Sequence, residues 1–163
     1  MKRIGFIKRI LVATYDALLL VAVTFFSLAL VMALFVWLAP SSFFVDPSLL
    51  ENPKLIQLSD LGRLVGSIIF ITHCVFVSFF FYGWFWTHGG QTLGMRAWNL
   101  YLIKDDGKFI NWEIAALRYC SALVSWLVFG LGFTWILLNK RKLAWHDILS
   151  KTQIVYSAPT KAK

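Results

Sequence analysis

A long stretch without charged side chains is the feature that most restricts how this chain can fold. Residues 17–45 contain no Asp, Glu, Lys or Arg, and the apolar run that includes most of them covers residues 11–39. As a helix, this run would be about 43 Å long at a rise of about 1.5 Å per residue. The hydrocarbon core of a bilayer is about 30 Å thick, so the run is long enough to cross it with tilt. The sequence therefore predicts a transmembrane helix over residues 11–39.

Two further apolar regions follow. Residues 64–87 form a second run that ends in an aromatic cluster typical of a membrane–water boundary, and residues 114–138 form a third. With 59% hydrophobic and 15% charged residues, the chain is predicted to be one all-α integral membrane domain over residues 1–163. The net charge of +8 lies in flanks beside the apolar runs, so we expect no nucleic-acid partner.

The polar segments between these regions are short. A loop is predicted over residues 40–63, and residues 139–163 form a basic tail. Between the second and third regions, residues 96–103 alternate roughly between apolar and polar, and Asp106-Gly107 then precedes Lys108-Phe109-Ile110. This pattern predicts a short cytoplasmic β-hairpin with its turn at Asp106-Gly107.

Charge counts and the lengths of the apolar runs disagree about whether the third region crosses the membrane. Residues 1–9 carry four basic side chains, and the tail carries six basic and one acidic, so both ends are expected to be cytoplasmic. Yet residues 119–139 lack charges and are long enough to cross the membrane once, which would place the tail outside. Gly130 and Gly132 permit a tight reversal. We therefore favour a re-entrant helical hairpin, with a single third span as the alternative.

Four charged residues lie within or beside these regions. Asp16 follows Arg9 by seven residues on nearly the same helix face, but the two are about 10 Å apart along the axis and arginine extends toward water. Asp16 is therefore expected to be ionised and bound by a cation from another helix, Arg118 above all. Asp147 is the fourth member, and all four lie in one leaflet if both ends are cytoplasmic.

Three motifs carry a resemblance to a known family. They are RILVATYD at residues 9–16, GGQTLG at residues 89–94 and RKLAWHDILSKTQIV at residues 141–155. In order and spacing they are similar to the RDD family of bacterial integral membrane proteins, named for one arginine and two aspartates. The resemblance implies that Arg9, Asp16 and Asp147 are these residues. Arg118 falls where the family often has an arginine.

The resemblance also draws attention to the GGQTLG segment. It implies accessory roles for Gly90, Thr92 and Gly94. The family's loop usually reads GxTxGK, but here Met95 follows Gly94, so Arg96 is the candidate to supply the missing cation.

Two histidines are further accessory candidates. His73 lies near the middle of the second run, where it either relays protons or hydrogen-bonds a neighbouring helix. His146 lies beside Asp147, where it either tunes that charge or is an interfacial residue in contact with solvent.

Two classes of function fit these features. The first is a component of cation/proton exchange, which the resemblance implies for some family members, or of other small-solute transport. The second is a non-catalytic membrane subunit or assembly factor whose buried ion network is structural. An enzyme, a cofactor and a metal site are not expected. The expected partners are the lipid bilayer and either a second copy or another membrane protein, in the bacterial cytoplasmic (inner) membrane.

Overall fold

The computed structural model describes residues 4–38 and 53–156, and for residues 53–59 the backbone alone. Residues 40–52 of the loop predicted over residues 40–63, and the last seven residues of the tail, lie outside the described residues. The described chain is mostly helical, as predicted, with a small sheet. Its elements in chain order are α1 Phe6–Leu38, α2 Pro53–Gly89, α3 Leu93–Ala97, β1 Tyr101–Lys104, α4 Trp112–Leu127, α5 Leu131–Leu138, α6 Trp145–Leu149 and β2 Thr152–Val155.

The two long helices match the first two predicted spans. Helix α1 and residues 60–89 of α2 are each long and apolar enough to cross a membrane, and their most apolar stretches are exposed. Helix α2 begins at Pro53, so the prediction of a loop up to residue 63 is wrong for residues 53–63. Proline suits the first helical position because its missing N–H has no intrahelical partner there. Asp60 and Arg63 in this part of α2 form an exposed ion pair.

The chain divides into two compact units. The first unit consists of Met1–Leu20 and Phe79–Lys163, and the second consists of Val21–Ser78. The second unit therefore contains the later part of α1 and most of α2. Within it, His73 Nε2 lies 3.0 Å from Ser27 Oγ, so the His73 ring makes a hydrogen bond to a neighbouring helix, one of its two predicted roles.

The sheet in the first unit differs from the predicted hairpin. Residues 104–108 do form a tight turn, since the amide of Lys104 donates to the carbonyl of Lys108 over 2.9 Å. However, β1 pairs with β2 in antiparallel register, with Tyr101 opposite Val155. Val155 is fully buried, whereas Phe109 is 43% exposed. The strand opposite β1 thus comes from the far end of the described chain, and Ile110, which follows Phe109, is buried in the apolar core outside the sheet.

Residues 96 and 97, assigned to the alternating segment, belong to α3 instead. Thr92 caps this helix because its side chain accepts a hydrogen bond from the amide of Met95, as Ser and Thr commonly do at helix N-termini. The cap places Met95 and Leu100 in the apolar core of the first unit.

The third apolar region forms two helices, and the break between them lies at Gly130, as the sequence predicts. Helices α4 and α5 meet at 94° across a short break, and Gly130 has φ +73°, a conformation that favours glycine. A side chain at position 132 would overlap that of Ser125, so Gly132 lets α5 start close against α4. The bend is nearer a right angle than the full reversal of a hairpin.

Candidate functional site

Asp147 lies at the centre of the first unit, in the first turn of α6. Its carboxylate is fully buried, and Oδ2 accepts a hydrogen bond from the amide of Ala144 over 3.0 Å. Ala144 precedes the helix, where amides have no partner within the helix itself. The local fold of α6 therefore turns this carboxylate back over the start of its own helix.

Two arginines from distant parts of the chain approach the same carboxylate. Arg9 Nη1 on α1 lies 2.6 Å from Oδ2, and Arg118 Nη2 on α4 lies 2.7 Å from Oδ1. The Arg118 contact is a close ion pair, although its N–H groups are not aligned as a hydrogen bond to Oδ1. The side chains of Arg9 and Arg118 are only 10% and 3% exposed. Asp147 thus connects α1, α4 and α6. We call Arg9, Arg118 and Asp147 the ion cluster.

Each arginine also donates one hydrogen bond elsewhere in the protein, although its Nε is buried without a hydrogen-bond partner among the described residues. Arg9 Nη2 donates to the carbonyl of Lys142 over 3.1 Å. Arg118 Nη1 donates to Thr152 Oγ1 over 2.5 Å, and its guanidinium lies 5.4 Å from the centre of the Trp86 ring. Planar guanidinium groups suit such combined hydrogen bonding and stacking. The arginines therefore fix the loop before α6 and the start of β2 as well as Asp147.

Asp16 occupies a separate buried position, and the predicted pairing of Asp16 with Arg118 is wrong. Its Oδ2 accepts a hydrogen bond from Thr92 Oγ1 over 2.5 Å, and its Oδ1 accepts one from the amide of Gly94 over 2.8 Å. Neither donor carries a charge. Arg118 instead points toward Asp147, and no described residue forms an ion pair with Asp16. Uncharged donors satisfy this carboxylate because the GGQTLG segment folds directly over it.

Glycine at position 94 makes this contact possible. A Cβ atom there would lie 2.8 Å from the carbonyl oxygen of Val12 and 2.9 Å from Asp16 Oδ1, closer than ordinary van der Waals contact. Gly90 enters the segment with φ +65°, and its carbonyl accepts from the amide of Leu102 over 2.6 Å. Through its hydrogen bonds to Asp16, the segment thus connects α3 and β1 to α1. Arg96 is exposed on α3, away from the carboxylate.

The ion cluster sets the protonation of the residues in α6. Burial opposes ionisation of Asp147, but Arg118 and Arg9 outweigh that effect and hold the pKa of its carboxyl well below the usual range. Burial lowers the pKa of His146 to about 3, the two arginines lower it as well, and Asp147 acts in the opposite direction. His146 is therefore neutral near pH 7, packed against the Phe133 ring at 4.8 Å.

The structure thus separates the predicted residues into three places, apart from Arg96, which is exposed on α3. Arg9, Arg118 and Asp147 form the ion cluster, and His146 Nε2 lies 3.6 Å from Asp147 Oδ1. Thr92 and Gly94 bind Asp16, with Gly90 shaping the same segment, while His73 lies in the second unit. Thr152, which is fully buried, was missed as a member of the cluster, although it lies within the RKLAWHDILSKTQIV motif.

The chemistry open to this arrangement is limited. The ion cluster contains two cations and one anion, and both carboxylate oxygens of Asp16 are already acceptors. In the part of the chain that the structure describes, no group of three or more His, Cys, Asp or Glu side chains could hold a metal ion. Asp147 connects α6 to α1 and α4, and Asp16 connects α1 to the GGQTLG segment.

Comparison with known proteins identifies relatives of this chain. The model of the RDD family matches residues 3–151. "Uncharacterized protein YxaI" of Bacillus subtilis (strain 168) is 26% identical over 156 residues, which are 95% of this chain and 98% of that protein. No solved structure matches significantly.

The ion cluster predicts unequal effects of removing the two buried carboxylates. Asp147→Asn leaves two buried arginines without their anion, so we expect a loss of about 3 to 5 kcal/mol in stability. Asp16→Asn should cost less, because its partners are uncharged and the amide oxygen can still accept from Gly94. Thermal unfolding in detergent measures both. Asp60→Asn, in an exposed pair with Arg63, is the control and should change little. Equal losses for all three variants would contradict the cluster.

His146 predicts a pH dependence of stability. Its pKa is about 3 in the folded protein and about 6.5 in an unfolded chain, so the unfolded state binds the extra proton between these values. Its contribution is fully present above pH 6.5 and is lost as pH falls toward 3, with a slope of up to about 1.4 kcal/mol per pH unit. His146→Gln should flatten this part of the profile in thermal unfolding. An unchanged slope would show that His146 is accessible to protons in the folded state.

Proposed function

This chain belongs to the RDD family, and on that premise we propose that it is a non-catalytic membrane subunit or assembly factor whose buried ion cluster is structural. We place it in the bacterial cytoplasmic membrane as a multi-pass protein with both ends cytoplasmic. The observation that carries this proposal is the occupation of both buried carboxylates by donors from the protein itself.

The position of the ion cluster supports the proposed topology. Arg9 directly precedes the apolar run of α1, and Arg118 lies in the second turn of α4. Both contact Asp147, which follows the third apolar region. If that region crossed the membrane once, Asp147 would be about 30 Å from Arg9. A re-entrant region, which enters and returns on the side of the N-terminus, brings the three together.

The lengths of the two helices support the same topology. Helix α4 has 16 residues and α5 has 8, which correspond to about 24 Å and 12 Å. Neither length crosses a hydrocarbon core of about 30 Å, and the bend of 94° between them reduces the depth that they reach together. The pair therefore suits insertion into one leaflet.

The hydrogen bonding of the carboxylates favours a structural role over exchange. A cation site requires oxygen lone pairs that point toward the ion. Each oxygen of Asp16 instead faces an O–H or N–H donor, and each oxygen of Asp147 faces an arginine. A cation at Asp16 would compete with these two hydrogen bonds, and a cation at Asp147 would be repelled by the two arginines.

The exposed surface at the α4–α5 bend supports a docking role. Leu127 is 81% exposed and Phe129 is 96% exposed. Side chains of this kind contact lipid or the apolar surface of another membrane protein. We propose that this bend contacts the bilayer together with a second copy or a different membrane subunit.

A reconstituted transport assay tests the proposed role. Purified protein in proteoliposomes with an imposed pH gradient should give no faster dissipation on addition of Na⁺, K⁺ or Li⁺ than liposomes without protein, because both carboxylates are occupied. Asp16→Asn is the matched variant and should behave in the same way. Cation-dependent dissipation by the native protein that Asp16→Asn abolishes, with its thermal stability retained, would contradict the structural role and indicate exchange.

Cysteine labelling tests the topology. In a background with Cys74 and Cys120 replaced by alanine, a cysteine at Lys140 should stay unlabelled by an impermeant thiol reagent in intact cells. A cysteine at Ser48, in the segment between α1 and α2 that lies outside the described residues, should be labelled. Equal labelling at the two positions would contradict the re-entrant region.

A further inference from the structure

We infer that the loop of residues 139–142, between α5 and α6, is a binding site for the phosphate group of anionic phospholipids. We call it the basic loop, since Lys140, Arg141 and Lys142 follow one another in it. The inference rests on the proposed membrane location, because it requires the loop to lie at the level of the lipid headgroups.

The basic loop is ordered by its first residue. The side-chain oxygen of Asn139 accepts from the amide of Arg141 over 2.8 Å, and its side-chain nitrogen donates to the carbonyl of Leu143 over 3.2 Å. Its own carbonyl accepts from the amide of Lys142 over 2.8 Å. Asn139 thereby contacts the backbone of each of the residues 141–143 and orders the loop. The cations are presented from a defined backbone, which reduces the entropy lost on binding.

Lys142 occupies a backbone conformation that lysine rarely adopts. Its φ is +51°, in the left-handed region that favours glycine or asparagine. Arg9 holds this conformation by donating to the Lys142 carbonyl over 3.1 Å. Lys151 has nearly the same φ, so the conformation alone does not mark a site. Lys142 differs because Arg9 binds its carbonyl, which leaves its exposed side chain on a fixed backbone beside Lys140 and Arg141.

The apolar residues on both sides of the basic loop identify the source of the phosphate as a lipid. Leu138 at the end of α5 is 78% exposed, and Leu149 at the end of α6 is 60% exposed. Exposed leucines beside a run of cations are typical of an element that lies in the membrane interface. A site for a soluble phosphate would have no need of them.

Lys140 and Lys142 form no ion pair with any described residue. Asp147, the acidic residue nearest to them in the sequence, is fully buried and is bound by Arg9 and Arg118. Exposed lysines at a membrane surface attract anionic headgroups, and the attraction weakens as salt increases. Charge, order and apolar surroundings therefore coincide in this loop.

The association of spin-labelled lipids with the protein in nanodiscs tests the inference. In a phosphatidylcholine bilayer, spin-labelled phosphatidylglycerol should associate with the native protein at least about threefold more strongly than spin-labelled phosphatidylcholine, and salt should reduce the difference. The variant K140Q/R141Q/K142Q should lose the preference. The matched control, K104Q/K108Q/K151Q, removes the same charge from and around the sheet and should keep it.

Two single variants separate a defined site from general attraction to a basic surface. Asn139→Ala keeps every charge but frees the loop backbone, so the preference should fall. Lys142→Gly removes the strained side chain, so the preference should fall while the melting temperature stays level or rises. A lysine with a purely structural role would give a lower melting temperature and an unchanged preference.

Three results would overturn the lipid site. They are equal association of the two lipids with the native protein, equal losses in the two triple variants, and displacement of the lipid by glycerol phosphate at matched concentration. Nanodiscs have no cytoplasmic or outer side, so the lipid measurement is independent of topology. Labelling of a cysteine at Lys140 decides the topology separately, and the failure of one inference is distinguishable from the failure of the other.

Discussion

The first unit depends on one carboxylate that is shared by two arginines. Asp147 connects α6 to Arg9 at the start of α1 and to Arg118 on α4, three positions that are far apart in the sequence. Burying three charges has a large desolvation cost, and their mutual attraction offsets it only while all three remain in place. The cluster therefore specifies one arrangement of these segments more than it adds net stability, because any packing that separates the partners leaves a buried charge without compensation.

Asp16 is also a buried carboxylate, but it binds uncharged donors instead of arginines. The GGQTLG segment has to pack against α1 at close range, and its free O–H and N–H groups need an acceptor once they are buried. Asp16 supplies both oxygens, to Thr92 and to Gly94. In a membrane protein, polar groups away from water must be satisfied within the protein. The donors that fold over it thus account for an aspartate at the edge of an apolar helix.

Local sequence patterns predicted the features that depend on local physics. The two long apolar runs and the break at Gly130 follow from run length and from the backbone freedom of glycine, and the structure contains all three. The pairing of Asp16 was predicted wrongly because a count of charges ignores uncharged donors such as the Gly94 amide. The partner of β1 was also predicted wrongly, since β2 lies about fifty residues away in the sequence. Only the packed chain shows that Thr152–Val155 lies opposite Tyr101–Lys104.

Arg9 connects the ion cluster to the basic loop, and its chemistry explains why an arginine suits the position. One guanidinium nitrogen contacts Asp147 and a second donates to the Lys142 carbonyl, so a single planar group contacts two acceptors at once. A lysine presents a single ammonium point charge in place of this planar fork, so it does not reproduce the pair of contacts. Because Arg9 directly precedes the apolar run of α1, the group that anchors α6 also sets the level of the basic loop relative to the start of that run. The motif arginine thereby couples the internal packing of the first unit to its proposed depth in the membrane.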